Sequence, residues 1–339
     1  MPMTLGPSGQ VAGWGSIPDG TTIKLTIVDG KLVFVRVMVS HMVGLLWSST
    51  GQVTALKPLV TKADATAMRV NASGWVVGKA RKSTSSSAND FAVVWRNGTP
   101  TDLGAGAWSD ATHVNSAGQV LGLQHITNAK DLTGHAYPKR QPFLWANGKL
   151  QALSNFPAGI SNMDCVGLSD AAQIPCNGLG FDFDTNTAYL WSNGQYLPLN
   201  FPGATSTRLM GITPGGAVHG SVQINGAYRL FIWRAGQFTL MPSDWTYIQA
   251  MTDGGLLLVY RDTGQKTPSG DAVTVVEIRS LSGDAFALGH GQCFSLTTGA
   301  QVCGVIVDMN NQGQLLVNQG YVPGASVSST GQVVLTPAL

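Results

Sequence analysis

Apolar stretches that end in tryptophan recur along the chain, and a short polar turn containing glycine follows each one. Five such segments are VGLLWSSTGQV at Trp47, FAVVWRNGTPTDLG at Trp95, PFLWANGKLQALS at Trp145, AYLWSNGQYLPLN at Trp191 and LFIWRAGQFTLMP at Trp233. The spacings between these tryptophans are 48, 50, 46 and 42 residues. A recurrence of about 40 to 50 residues is typical of propellers and other repeat architectures.

Two further copies follow the same pattern without the tryptophan. They are VEIRSLSGDAFALG and ASVSSTGQVVLTPA, in which Arg279 and Val327 take its place. The hexamer SSTGQV occurs in both the first and the last copy, at residues 48–53 and 328–333. Seven copies therefore cover most of the chain.

A second motif of the form N-x-x-G-x-V-x-G precedes every copy of the first. Its best examples are NASGWVVG and NSAGQVLG. The seven copies centre on Gly9, Gly74, Gly118, Ala172, Gly216, Gly255 and Gly313. Two interleaved series with the same count indicate seven structural units.

Each unit predicts four short strands. The third unit reads ATHVN, QVLGLQ, QPFLWA and KLQAL, with glycine-containing turns between them. Asn-Gly at 147–148 and 193–194 is a strong hairpin signal, because both residues tolerate positive φ. Four-stranded antiparallel units of this length form propeller blades, and a tryptophan at one fixed position suits the contact between neighbouring sheets. We therefore predict an all-β fold, a single β-propeller of seven four-stranded antiparallel blades, or six if a degenerate copy is not a blade.

The prediction assigns the whole chain, 1–339, to one domain. No strand exchange between the first and last blades is expected, so blade 7 would close the ring by packing on blade 1. The predicted repeats are 1–60, 61–107, 108–157, 158–203, 204–242, 243–299 and 300–339.

The first repeat carries an extra hairpin at 21–39, which contains IKLTIVDGKLVFVRV (23–37) and turns at Asp29-Gly30. A two-residue turn pairs its apolar residues on one face. This face either packs on its own blade or docks a partner. The candidate docking residues are Leu25, Ile27, Leu32 and Phe34.

Composition agrees with strands and turns. Charged residues make up only 11%, Gly numbers 42, and the acidic residues are 17 Asp and the single Glu277. A net charge of +2 without a basic cluster argues against nucleic-acid partners. The amino-terminal sequence is not a signal peptide and no apolar stretch suits membrane insertion. We expect synthesis in the cytoplasm and a final location in a virion or at an extracellular surface.

The two motifs together resemble the HAF-type extracellular repeats of bacterial proteins. FAVVWRNGTPTDLG and QPFLWANGKLQALS match best, although the His-Ala-Phe triplet itself is absent. The resemblance implies a propeller-like fold and no catalytic consensus.

The four cysteines fall in two local pairs, Cys165 with Cys176 and Cys293 with Cys303. Each pair flanks a predicted hairpin, and the spacing does not suit zinc or redox motifs. Hairpin disulfides and buried free thiols both remain open.

The chain lacks the motifs GxSxG, HExxH and the phosphate-binding loop. Asp182, Asp184 and Asn186 begin like a calcium loop, but the sixth-position glycine and the closing acid are missing, so a polar turn is favoured. The loop 125–140 offers Tyr137, Lys139 and Arg140 as ligand contacts, if it is more than an ordinary exposed loop. No catalytic residue, metal or cofactor is predicted.

These observations favour a non-enzymatic structural or interaction module, a component of a phage virion or a bacterial surface assembly, with protein partners or self-assembly. One alternative is a propeller that binds a cell-surface glycan or receptor. A propeller hydrolase or lyase is the third class, against which the missing pair of placed carboxylates argues.

Overall fold

The computed structural model describes residues 2–28, 31–85, 87–130, 136–179, 186–199, 201–268, 270, 272–287, 293–295, 301–319 and 332–335. Within these ranges every regular element is a β-strand, and the strands form seven four-stranded sheets. No helix among them is long and apolar enough to cross a membrane.

The first four blades contain sixteen strands. Blade 1 has β1 (Pro2–Leu5), β2 (Val11–Val28), β3 (Lys31–Trp47) and β4 (Val53–Ala55). Blade 2 has β5 (Ala65–Val70), β6 (Val76–Arg81), β7 (Asp90–Arg96) and β8 (Thr99–Asp102). Blade 3 has β9 (Asp110–Val114), β10 (Val120–Lys130), β11 (Ala136–Ala146) and β12 (Lys149–Ala152). Blade 4 has β13 (Asn162–Cys165), β14 (Ile174–Leu179), β15 (Asn186–Ser192) and β16 (Gln195–Pro198).

Blades 5 and 6 repeat the plan, whereas in blade 7 the second strand takes the inner position, since the shift at Asp308 and the Asn310 turn belong to it. Blade 5 has β17 (Ser206–Ile212), β18 (Val218–Ile224), β19 (Ala227–Arg234) and β20 (Gln237–Leu240). Blade 6 has β21 (Trp245–Met251), β22 (Leu256–Lys266), β23 (Ala272–Ser280) and β24 (Ala285–Ala287). Blade 7 has β25 (Cys293–Ser295), β26 (Gln301–Met309), β27 (Leu315–Gln319) and β28 (Gln332–Leu335).

Each sheet consists of four consecutive antiparallel strands, so no strand is exchanged between blades 1 and 7. The predicted all-β propeller of seven four-stranded blades is confirmed. Both degenerate copies form blades, and the alternative count of six does not hold.

The hydrophobic core lies between the blades. The described residues form seven apolar clusters, one at each blade boundary. Trp95 belongs to the cluster between blades 1 and 2, Trp145 to that between blades 2 and 3, and Trp191 to that between blades 3 and 4. All three are at least 95% buried, whereas Trp47 and Trp233 are half-buried at the edges of their clusters. The recurring tryptophan thus joins each sheet to its neighbour.

The asparagine of the second motif joins neighbouring blades by hydrogen bonds. The Oδ1 atom of Asn71 accepts from the backbone N–H of Trp75 (2.9 Å), and its Nδ2 atom donates to the carbonyl of Asn115 in the next blade (2.8 Å). Asn115 donates likewise to the carbonyl of Ser169 (3.0 Å). Asn310 closes the ring by donating to the carbonyl of Gly6 in blade 1 (3.0 Å).

Asp308 adds two further bonds across this closure. Its Oδ2 atom accepts from the Thr4 hydroxyl (2.7 Å) and from the backbone N–H of Leu5 (3.0 Å). Blades 7 and 1 are therefore held together by side chains and packing.

Blade 6 replaces the missing tryptophan with an ion triad. Arg279 stands at the tryptophan position and donates to Glu277 (2.7 Å). Arg261 donates to the other carboxylate oxygen of Glu277 (2.9 Å). Glu277 is only 4% exposed, so the single glutamate of the chain is paired on both sides.

The extra hairpin of the first repeat extends β2 and β3 beyond blade 1. Its backbone register pairs Ile27 with Leu32 and Leu25 with Phe34. The side chains of these four docking candidates lie outside the described residues. Nearer the blade the register shifts between Pro18 and Gly20, so that Asp19 is the extra residue of a β-bulge.

Candidate functional site

Two neighbouring cavities open on the face of the ring that carries the connections between blades. The first, of about 430 Å³, lies between blades 1 and 2. The second, of about 550 Å³, lies between blades 2 and 3. Both are lined mainly by polar and charged side chains.

An aspartate–histidine pair lines the first cavity. The Nδ1 atom of His41 lies 2.9 Å from the Oδ2 atom of Asp19, and the two side chains are only 14% and 16% exposed. The bulge in β2 explains the contact, since the extra residue of a bulge points its side chain out of the regular alternation. A carboxylate can only accept, so the Nδ1 atom of His41 is the donor in this contact, and in the neutral form of the ring the Nε2 atom is then the acceptor.

Hydroxyl groups and cations surround this pair. Ser40, Ser83 and Thr84 line the same cavity, as do Lys62 and Arg81. The Lys62 Nζ atom lies 3.9 Å from Asp19. The cavity therefore combines a proton acceptor, oxygen nucleophiles and positive charge.

Arg81 connects the two cavities. It forms an ion pair with Asp64 (2.8 Å) in the first cavity and donates to Asp90 (3.3 Å) in the second. Asp90 also pairs with Lys79 (2.7 Å). The carboxylate of Asp90 is thus held by two cations.

Asp110 and His125 in the second cavity are less well satisfied. The backbone N–H of Leu123 donates to the Asp110 carboxyl, but among the described residues its buried Oδ1 atom has no hydrogen-bond partner. The buried Nε2 atom of His125 has none within the same ranges. Burial raises the pKa of Asp110, and Asp90 acts in the same direction, whereas Arg140 and Lys79 oppose the shift.

Trp108 stands at the second cavity with unusual geometry. Its indole is part of the lining and the residue is 62% exposed. Its φ angle is +60°, in the left-handed region that bulky residues rarely adopt. Exposed aromatic groups and strained backbone both concentrate at binding sites.

A third cavity, of about 260 Å³, is the central channel. In each blade the strand nearest the channel pairs with the next strand outward. In six blades the register of this pairing shifts at the same position, and the residue after each shift lines the channel. These residues are Thr4, Arg69, His113, Gly211, Ala250 and Asp308. In blade 4 the paired part of β13 ends at Cys165, opposite Cys176, before this position, and Gly167 lines the channel.

Two imidazoles in this channel are buried and neutral. Burial lowers the pKa of His113 to about 3, with Arg69 adding to the effect, and burial lowers that of His219 to about 4. His219 occupies the space that a side chain at Gly211 would fill, since a Cβ atom there would lie 2.5 Å from its Nε2 atom.

The structure places only part of the predicted site residues. Arg140 lines the second cavity, whereas Tyr137 and Lys139 lie in β11 with side chains outside the described residues. Asp182 and Asp184 also lie outside them, as does the side chain of Asn186. Within the described ranges no three His, Cys, Asp or Glu side chains could together hold a metal ion.

Cys165 and Cys176 form a disulfide with an S–S distance of 2.05 Å. The backbone register pairs Cys293 with Cys303, whose side chains lie outside the described residues.

Sequence reasoning missed Asp19, His41, Asp110 and His125. One signal was available, because Pro18-Asp19-Gly20 inside an apolar hairpin pattern indicates a bulge. The other residues come together only through the packing of one blade on the next.

No family model matches the chain, and no curated protein matches it. The β-propeller domain of the Trilobed protease from Pyrococcus furiosus is similar, with 10% identity, a TM-score of 0.48, and coverage of 85% of this chain and 96% of that one. The acylaminoacyl peptidase of Pyrococcus horikoshii has 10% identity and a TM-score of 0.46; the match covers 96% of this chain but 58% of the peptidase chain. A putative 6-phosphogluconolactonase from Bacteroides fragilis has 14% identity, a TM-score of 0.39, and coverage of 90% and 87%.

These comparisons correct the prediction of a non-enzymatic module and the exclusion of an enzyme. The similar solved structures come from a protease, a peptidase and a putative lactonase. At such low identity the likeness concerns the fold alone. The physical reason for the error is that the missing motifs are contiguous in sequence, whereas a site between blades is assembled from distant residues.

Proposed function

We propose that the chain is a hydrolase in which His41 acts as general base in the first cavity. The hydrogen bond between Asp19 and His41 carries this proposal. A base within hydrogen-bond reach of an orienting carboxylate, beside hydroxyl groups, is the arrangement that activates an oxygen nucleophile.

Asp19 holds the proton of His41 on the Nδ1 atom and orients the ring. The Nε2 atom accepts the proton of the attacking hydroxyl, from Ser83 or from a water molecule, as the oxygen bonds to the substrate carbonyl carbon. The same proton then passes to the leaving group when the bond to it breaks. Lys62 supplies positive charge for the oxyanion that develops between these steps.

Hydrolysis of a panel of p-nitrophenyl esters tests the proposal. His41→Ala and Asp19→Asn should each lower kcat/KM by at least about 100-fold, the usual contribution of a general base. Asp262→Asn is the control, because Asp262 caps only its own turn on blade 6 (2.8 Å to the Gly264 N–H). Full activity in His41→Ala, or no turnover of any ester by the unaltered protein, refutes the assignment.

Ser83→Ala separates the two nucleophiles. If Ser83 attacks, the variant loses turnover and the covalent acyl-enzyme is no longer seen by mass spectrometry. If water attacks, turnover persists and no acyl-enzyme forms in either protein.

We also propose that the protein works in an oxidising compartment, which the Cys165–Cys176 disulfide supports. Mass spectrometry of the protein isolated from its native source, alkylated before and after reduction, tests this. Alkylation of both cysteines before reduction contradicts it.

A further inference from the structure

The second cavity lies where blade 3 departs from the repeat. In blade 2, Val76 lies opposite Trp95. Five positions further along this strand pair, Arg81 lies opposite Asp90, and the two form an ion pair. In blade 3, the pair five residues beyond Val120 and Trp145 is His125 opposite Arg140. An acid has been replaced by a base, so the cross-strand partners no longer neutralise each other.

This replacement leaves donors and acceptors unused. The Nε2 atom of His125 and the Oδ1 atom of Asp110 are both buried and both lack a hydrogen-bond partner among the described residues. Buried polar atoms are nearly always paired in folded proteins, and leaving one unpaired destabilises the fold. Two such atoms in one cavity are available for hydrogen bonds to a ligand.

The charges show which kind of ligand fits. Lys79 and Arg81 already neutralise Asp90, whereas Arg140 has no described acid partner within ion-pair distance and is exposed to solvent. Arginine suits a carboxylate, because its guanidinium can donate two parallel hydrogen bonds. Asp110 and His125 can exchange hydrogen bonds with hydroxyl groups.

The rim of the second cavity offers an apolar contact, and the volume of the cavity limits the size of the ligand. The exposed indole of Trp108 offers a flat surface to the C–H face of a sugar ring. A cavity of about 550 Å³ lies within the usual range for small-molecule sites, about 300 to 1,000 Å³. A monosaccharide fits inside a cavity of this size.

We propose that the second cavity binds a small polyhydroxylated carboxylate, a sugar acid, with its carboxylate on Arg140, its hydroxyls on Asp110 and His125, and its ring on Trp108. The inference concerns binding and does not rest on the proposed hydrolase activity. Nothing in it depends on turnover at His41.

Isothermal titration with D-glucuronate, D-glucose and acetate tests the site on the unaltered full chain. Glucuronate should bind, glucose at least about tenfold more weakly, a difference of about 1.4 kcal/mol, and acetate should give no heat. Arg140→Asp restores the charge pattern of blade 2 and should preserve folding while weakening glucuronate binding by at least about tenfold.

Glucuronate binding to the unaltered protein should change its tryptophan fluorescence. Trp108→Ala should abolish that change and should weaken glucuronate and glucose binding alike. Lys149→Gln is the matched control, since it removes an exposed cation at the opposite turn of the same blade. No binding of glucuronate at about 10 mM, or equal binding by Arg140→Asp and the unaltered protein, overturns the proposal.

Discussion

His219 should make the stability of the folded ring depend on pH. The residue is 6% exposed, and its Nδ1 atom is buried without a hydrogen-bond partner among the described residues. Burial lowers its pKa from 6.5 to about 4. The unfolded chain therefore takes up a proton as the pH falls through 6.5, whereas the folded protein resists protonation until about pH 4.

The magnitude follows from this difference. Each pKa unit corresponds to about 1.4 kcal/mol, so His219 should remove about 3 kcal/mol of folding stability between pH 6.5 and pH 4. The stability is fully present above the unfolded pKa and is lost as the pH falls toward the folded pKa, because only the unfolded state binds the proton in that window.

Urea unfolding followed by tryptophan fluorescence at about pH 7.5 and pH 4.5 measures the effect. The drop in unfolding free energy between the two pH values should be about 2 to 3 kcal/mol smaller in His219→Asn than in the unaltered protein. His113 titrates in both proteins, so its contribution cancels. Any loss of packing in the variant lowers the unfolding free energy by the same amount at both pH values, so it does not change the drop between them. An equal drop in both proteins would refute the claim that His219 is buried and neutral.

Three further variants test contacts within and between the blades. Glu277→Gln should destabilise the protein by about 1 to 3 kcal/mol in urea unfolding, because Arg261 and Arg279 lose the charge of their shared partner; an unchanged unfolding free energy would contradict this. Asn115→Ala should cost about 2 to 3 kcal/mol through the lost turn and blade-to-blade hydrogen bonds, and an unchanged urea midpoint would argue against that role. Replacing both Cys165 and Cys176 by Ala should cost about 2 to 3 kcal/mol in thermal unfolding, because the unfolded chain gains conformational freedom without the disulfide. An unchanged midpoint of thermal unfolding would contradict this.

The sequence was sufficient to predict the propeller because the same physical requirement recurs in every blade. A tryptophan such as Trp95 fills the contact between sheets, and an asparagine such as Asn115 caps a turn and reaches the next blade. Each requirement leaves a periodic signal in the sequence. The degenerate copies were recognisable from the turn glycine even where Arg279 had replaced the tryptophan.

The candidate site left no such signal, because it consists of residues that depart from the repeat. Asp19 reaches His41 through a bulge, and a one-residue change of register reverses the side-chain alternation in a strand. Asp110 and Asp90 share a cavity only because blade 3 packs on blade 2. Predicting either contact requires the register of strands and the docking of sheets, neither of which periodicity determines.

The closure between blades 7 and 1 has a consequence for access to the channel. At the other six boundaries a covalent connection runs from one blade to the next, whereas at this one, within the described residues, the sheets are joined by packing, the Asn310 bond and the two bonds to Asp308. Sideways separation of blades therefore costs least at this boundary, and it requires no sheet to unfold. The boundary between blades 7 and 1 is therefore the place at which the ring opens most easily and at which a molecule can reach the channel from the side.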